Sequence, residues 1–220
     1  MIINPHWFAF PVNALAGLVI IFVGWRAKKL SSITHIVIAL ALVLAVCLVQ
    51  GFMPAGYPFT RTWPFVVALV WLLVVLTSAL FRKPSLTYFG LWLALFAGVL
   101  GAADSYNGQL LVHKDGFSGA PLPFELRLTE FTVDTYPGGE PMDYRAGIEL
   151  SDKNRTVNKT LRVNHPVSFK GHQLYLSDYG KDRGDGIPYC ILMYTRQPWR
   201  WLVLSGILLM MAAALKSFFK

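Results

Sequence analysis

All twelve acidic residues of this chain fall between Asp104 and Asp185, and the stretches on either side are apolar runs that end in lysine or arginine. This partition rules out one uniform globule. Apolar runs near 20 residues long match the ~30 Å of hydrocarbon that a helix must cross. The segment between the flanking runs has the composition of a folded, water-facing module. The net charge of +8 divides in the same way: 104–198 holds eleven Lys/Arg against twelve Asp/Glu, while the remainder holds nine and no acid. A nucleic-acid-binding surface gathers its positive charge on a folded domain. Here the charge sits at the ends of apolar runs, where orientation signals belong, so nucleic acid is excluded as a partner and membrane lipid is expected.

Four runs precede the polar module, at 7–25, 33–53, 64–81 and 88–103, and 199–219 follows it. The fourth is the shortest and is expected to need Ser105 or Tyr106 to complete its span. The expected fold class is an integral membrane α-helical protein of about five transmembrane helices with an extracytoplasmic, all-β antiparallel domain. Its parts are a four-helix region at 1–103, a β domain at 104–198 and a C-terminal helix at 199–220. Arg26, Lys28, Lys29, Arg82, Lys83, Lys216 and Lys220 mark one side of the membrane, against Arg61 and Arg200 on the other. The richer side is expected to be cytoplasmic. The N-terminus and the β domain then face the periplasm of a bacterial inner membrane, and the C-terminus faces the cytoplasm. The start lacks a basic n-region and an A-x-A site, so no removed signal peptide is expected.

Gly90, Ala94, Gly98 and Ala102 recur every four residues, a small-residue stripe suited to close helix packing, expected to meet this chain's own helices. Gly51, Pro54 and Gly56 are expected to end the second helix. His35 is the expensive residue of the apolar runs, about one turn into that helix. An ionisable group there is a functional candidate, and imidazole is an axial ligand for haem iron. A helix-end histidine reaching interfacial water is the plainer reading of the residue alone.

In the polar module the apolar period changes to two. Phe124, Leu126 and Leu128 alternate with polar residues, then Phe131 and Val133 continue one residue out of step, which predicts a bulge between them. Turns are predicted at Tyr136-Pro137-Gly138-Gly139, at Asp152-Lys153-Asn154 and at Lys170-Gly171. Short strands at this spacing imply an antiparallel sandwich or sheet. Gly180, Gly184 and Gly186 are read as a loop tip. Two cysteines, Cys47 and Cys190, fall in different regions and form no C-x-x-C, so neither a disulfide nor a covalent haem site is expected. Both are read as plain buried thiols. There is no H-E-x-x-H, G-x-S-x-G or P-loop. His113, His165 and His172 are read as structural.

The stretches PFELRLTEFTVDTYPGGEPMDYRAGIEL (Pro123–Leu150) and LRVNHPVSFKGHQLYLSDYG (Leu161–Gly180) resemble the periplasmic domain of the ResB (CcsB) family. The flanking helix order is also similar. That resemblance implies a part in System II cytochrome c maturation, beside a CcsA-type membrane partner and apocytochrome c. It implies haem b, transient and shared with the partner, with His35 as an axial ligand and Arg26, Lys28 and Lys29 near the propionates. It points to Asn164, His165, Tyr175 and Tyr179 as residues facing the apocytochrome. The chain lacks the tryptophan-rich CcsA half, so the expected role is an accessory subunit of a cytochrome c haem lyase. The competing class is a structural anchor of a respiratory or redox complex, without a haem site.

Overall fold

The computed structural model describes residues 2–114, 116–118, 122–153, 155–181 and 188–219. Gly184, Gly186, Asn154 and Lys220 lie outside the described residues. Two compact units emerge: a helical unit of Met1–Ser105 with Gln197–Lys220, and a sheet unit of Tyr106–Arg196.

The helical unit contains α1 (Val12–Arg26), α2 (Ile33–Gln50), α3 (Trp63–Arg82), α4 (Leu86–Gly101) and α5 (Arg200–Phe218). Among the described residues four helical segments are long and apolar enough to cross a membrane. α1 is shorter, its 15 residues covering about 22 Å, because a 3-10 turn at Pro5–Phe8 occupies the start of the first apolar run. It nevertheless runs between both ends of the unit. Near its start Asn13 donates to the Leu100 carbonyl at the end of α4 at 3.1 Å. Just past its end the Ala27 carbonyl accepts from Ser78 Oγ of α3 at 2.8 Å. Gly17 meets the Phe96 ring and Gly24 meets Thr77, contacts that a Cβ would block.

α2 ends at Gln50, and the Gly51 amide donates back to the Leu48 carbonyl. Its outward residues, including Val37, Ile38, Leu44 and Leu48, are apolar and exposed. Its inward Ile36 and Ala39 join Leu72, Val75, Leu76 and Ala79 of α3 in a buried cluster. A helix apolar on its exposed face as well belongs in hydrocarbon.

α4 needs neither Ser105 nor Tyr106 to complete it. It ends at Gly101, a 3-10 turn covers Ala102–Asp104, and Tyr106 opens the first strand. The small-residue stripe packs against α5 of this chain, but not at every fourth residue. Gly90 and Ala94 lie against the Gly206 backbone and Gly101 lies against Trp199, while Gly98 meets nothing within 4 Å. The face in use is Gly90, Ala94 and Gly101, because 3.6 residues per turn rotates a strict four-residue spacing off a straight contact line.

The sheet unit is a sandwich of two four-stranded antiparallel sheets. Its strands are β1 (Tyr106–His113), β2 (Phe117–Ser118), β3 (Glu125–Thr135), β4 (Pro141–Asp152), β5 (Arg155–Arg162), β6 (Val167–Phe169), β7 (His172–Lys181) and β8 (Pro188–Arg196). One sheet has the order β1-β8-β7-β6 and the other β2-β3-β4-β5. Their facing sides share one core, including Leu110, Leu126, Leu128, Ile148, Leu150, Leu161, Leu174 and Leu192. The slip in β3 is a bulge: Leu128 pairs with Ile148 and Glu130 with Gly147, leaving Thr129 as the extra residue. Lys170 and Gly171 both have positive φ and join β6 to β7. That is the two-residue turn whose twist suits a hairpin. At Tyr136–Glu140 the Gly139 amide donates to the Tyr136 carbonyl at 2.8 Å, with Gly139 at φ +84°.

Both cysteines are free. Cys190 is buried in the sandwich core, and burial pushes its thiol up to about 12. Cys47 departs from expectation: it lies on the exposed surface of α2.

Candidate functional site

His35 is the third residue of α2, within its first turn, and it is half-buried. Ser32 caps that helix, which is why the chain turns here. The Ser32 hydroxyl lies 2.6 Å from His35 Nδ1 and also faces the His35 amide. A serine hydroxyl serves either imidazole tautomer. When Nδ1–H donates to it, the Nε2 lone pair is left as the open acceptor, the arrangement in which one ring nitrogen is oriented so that the other can ligate metal. Nε2 receives no hydrogen bond from any of the described residues.

The cations expected beside His35 share its segment. Arg26 ends α1, its guanidinium over the Trp25 ring at 5.9 Å. Lys28 and Lys29 lie in the 3-10 turn Lys28–Ser31 that leads to Ser32. All three are exposed. The local fit to a haem is therefore one imidazole nitrogen and three unburied positive charges. His6, the other histidine of this unit, lies in the 3-10 turn before α1. That turn is at the Asp104 end of the unit, where the Phe10 amide donates to Asp104.

The four candidates in the sheet unit divide into two settings. Asn164 has φ 63°, the left-handed conformation that asparagine tolerates. It closes the turn in which the His165 amide donates to the Arg162 carbonyl at 3.0 Å. His165 is exposed, with Nδ1 3.1 Å from the Val163 carbonyl. These two residues stand together between β5 and β6. Tyr175 and Tyr179 are four apart in β7, a spacing that in a regular strand keeps both on one face. A register shift between Leu176 and Asp178 makes Ser177 an extra residue and reverses the phase. Tyr175 pairs with Met193 on the outer face, whereas Tyr179 pairs with core-facing Cys190. Tyr175 donates to Gln173 Oε1. Tyr179 stacks on Phe131 and Tyr144 of the opposite sheet, with ring centroids 5.0 and 4.7 Å away. The hydrogen bond that the Tyr179 phenol donates to Tyr144 is the main reason its pKa is held above the ordinary value, and desolvation adds to it.

Two polar clusters were missed by reasoning from sequence. In the helical unit the Asp104 carboxylate accepts from the Phe10 amide, Asn13 Nδ2 and Trp199 Nε1 at 2.9, 2.7 and 2.8 Å. The available signal was Asn13, an amide inside an apolar run. In the sheet unit His172 is 2 % exposed. Its Nδ1 donates to the Lys170 carbonyl at 2.9 Å, so in the neutral ring Nε2 accepts from the Tyr106 hydroxyl. Phe124 packs edge-on against that imidazole. With both nitrogens satisfied, His172 reads as a structural residue. The His113 and Tyr189 rings lie tilted to one another, with centroids 6.0 Å apart. Among the described residues no group of three His, Cys, Asp or Glu is placed to hold a metal.

Comparison with known proteins adds the family. Residues 84–188 match the ResB-like family. The chain is 27% identical over 103 residues to the cytochrome c biogenesis protein CcsB of Prochlorococcus marinus, covering 44% of this chain and 24% of that protein. It is 26% identical over 111 residues to CcsB of a Synechococcus strain, covering 45% and 23%. It is 28% identical over 104 residues to the chloroplastic cytochrome c biogenesis protein CCS1 of Arabidopsis thaliana, covering 40% and 19%. The chain thus spans about a quarter of the length of the curated relatives it matches. The family segment runs from the α3–α4 connection to the first residue of β8. It includes Asn164, His165, Tyr175 and Tyr179 but not His35 or the basic trio. Residues 84–188, just under half of the chain, are thus similar to the ResB-like (ResB/CcsB) family.

Proposed function

We propose that this protein takes part in cytochrome c biogenesis as a ResB-like subunit of a System II complex. In that complex a CcsA-type partner and this chain together move haem b across a bacterial inner membrane and present it to apocytochrome c. The match of residues 84–188 to the ResB-like family carries the reading. His35 supports it from its own geometry: one nitrogen oriented by Ser32, the other open, and three cations within nine residues. His35, with a residue of the partner, would hold the haem, whose iron would supply the site for imidazole ligation. This chain's residues do the rest: Ser32 holds the ring angle, and Arg26, Lys28 and Lys29 offset propionate charge. In this reading the chain is an accessory subunit of a haem lyase, with the sheet unit in the periplasm and the C-terminus in the cytoplasm. Edge strand β5, polar and largely exposed, offers an unpaired backbone to an extended apocytochrome segment by strand addition. Asn164 and His165 stand at its end.

The test is copurification with the CcsA-type partner and an absorption spectrum of the pair. Bound haem is expected in the wild type, with its Soret band shifted or lost in His35→Ala and restored by added imidazole. A haem-free wild-type pair, or one whose spectrum is the same in His35→Ala, overturns the role of His35.

A further inference from the structure

The helical unit holds a cleft that neither the haem reading nor the family accounts for. Its volume is about 540 Å³, and its apolar lining comes from Ile21 of α1, Leu80 and Phe81 of α3, and Leu86, Phe89 and Trp92 of α4. Thr77 also lines it, but has no proton left to donate: its hydroxyl donates to the Leu73 carbonyl and accepts from Trp92 Nε1. The cleft therefore asks for an apolar occupant of ordinary ligand size. The lining contains no histidine, cysteine or methionine that could hold a metal. The volume is too small for a further transmembrane helix, which is about 10–12 Å across over ~30 Å.

The charge beside the cleft identifies the occupant. Pro84 and Ser85 of the α3–α4 connection form part of its wall, and Arg82 and Lys83 open that connection. Both cations are exposed, and neither has an ion pair among the described residues. No acidic residue exists anywhere in 1–103, and Asp104 is at the other end of α4. The helical unit itself supplies no acidic side chain at this end to balance them. In a bilayer the balancing charge is a lipid phosphate, which juxtamembrane lysine and arginine attract.

We propose that the cleft between α1, α3 and α4 binds an acyl chain of an anionic glycerophospholipid whose phosphate is held by Arg82 and Lys83. The site is separate from His35 and does not depend on the haem reading.

The experiment uses the full chain in phosphatidylcholine bicelles doped with phosphatidylglycerol that carries a photoactivatable diazirine on one acyl chain. Labelling is expected to concentrate on the peptide spanning Phe81–Trp92, and to be competed by unlabelled phosphatidylglycerol far better than by phosphatidylcholine. The double variant Arg82→Gln/Lys83→Gln leaves the cleft intact. It is expected to reduce that preference by about thirtyfold, each cation beside an anionic surface being worth about a factor of five. Ser85→Phe is expected to block labelling outright. Ser85 makes no capping hydrogen bond, so filling the cleft there leaves α4 folded, which an unchanged melting temperature checks. Three results each overturn the proposal: labelling spread evenly over the helices, equal competition by both lipids, or no labelling of that peptide, as when a partner protein fills the cleft.

Discussion

Asn13 of α1 donates through Nδ2 to Asp104 Oδ2 at 2.7 Å, and the same oxygen accepts from the Trp199 indole before α5. One carboxylate thereby ties together the start of α1, the end of α4 and the start of α5. Asn13 is 1 % exposed, so its amide has no water to fall back on. Removing the acceptor strands several donors at once. Asp104→Ala is expected to destabilise the helical unit by about 1–3 kcal/mol, read as a lower melting temperature in detergent. Asn13→Ala, which strands fewer groups, is expected to cost less.

The contact of α4 with α5 gives a sharper contrast, because two glycines of one stripe differ. A Cβ on Gly90 would lie 2.7 Å from the Gly206 carbonyl, which is backbone and cannot yield; at Gly98 it would meet nothing. Gly90→Ala should therefore force the helices apart at about 1–3 kcal/mol. Gly98→Ala should be neutral or stabilising by up to about 1 kcal/mol, since alanine is the better helix former. Thermal unfolding of the two variants side by side decides it, and equal loss in both would refute the assignment of the packed face.

In the sandwich, Tyr106→Phe takes the hydroxyl donor away from His172 Nε2 while keeping the ring. Leaving that buried acceptor unpaired is expected to cost about 1–3 kcal/mol. Replacing both partners by apolar rings, in Tyr106→Phe/His172→Phe, is expected to recover part of the loss, because Phe124 already packs on the site. A double-mutant cycle on chemical unfolding measures the coupling, and strictly additive losses would show the pair to be unconnected.

The sheet unit should also weaken in acid. Desolvation acts to raise the Asp143 pKa, but Arg162, the Tyr144 amide and Arg145 outweigh it and hold the carboxyl below its ordinary value near 3.8. Asp152 is lowered chiefly by Lys170, then by the Lys153 amide. A carboxylate with a lowered folded-state pKa adds stability that is full above the unfolded value and is lost as pH falls through the folded one. Melting temperature should hold between about pH 7 and about pH 5 and drop below about pH 4. In Asp143→Asn/Asp152→Asn that drop should shrink.

Local devices were legible in the sequence because each leaves a mark within a few residues. The Thr129 bulge shows as a one-residue slip of an alternating pattern, and Lys170-Gly171 as turn chemistry between apolar residues. The five helices show as apolar runs, though α1 begins at Val12, later than its run, because the 3-10 turn Pro5–Phe8 takes up the first part. What stayed hidden depends on partners far along the chain. Asn13 and Asp104 are 91 residues apart, and no spacing rule joins them. The Ser177 bulge that parts Tyr175 from Tyr179 was also missed. Its mark in the sequence is weak, because Tyr175 is as acceptable in a core as Tyr179. For His35 the residue type was the signal, whereas its partner Ser32 and its place in the first turn came from the helix start. The use of Gly90 but not Gly98 needed the position of α5.

The first residue of β1, Tyr106, lies directly opposite the last residue of β8, Arg196. Both crossings of the sandwich boundary therefore lie side by side, with α4 entering and α5 leaving as antiparallel partners. Ninety-one residues thus occupy a gap that a hairpin loop can bridge, the arrangement of a cassette inserted into a helical hairpin. Excising 106–196 in favour of a short glycine–serine loop would leave the packing of Gly90, Ala94 and Gly101 against α5 in place, and a different small domain with adjacent ends could be grafted at the same seam.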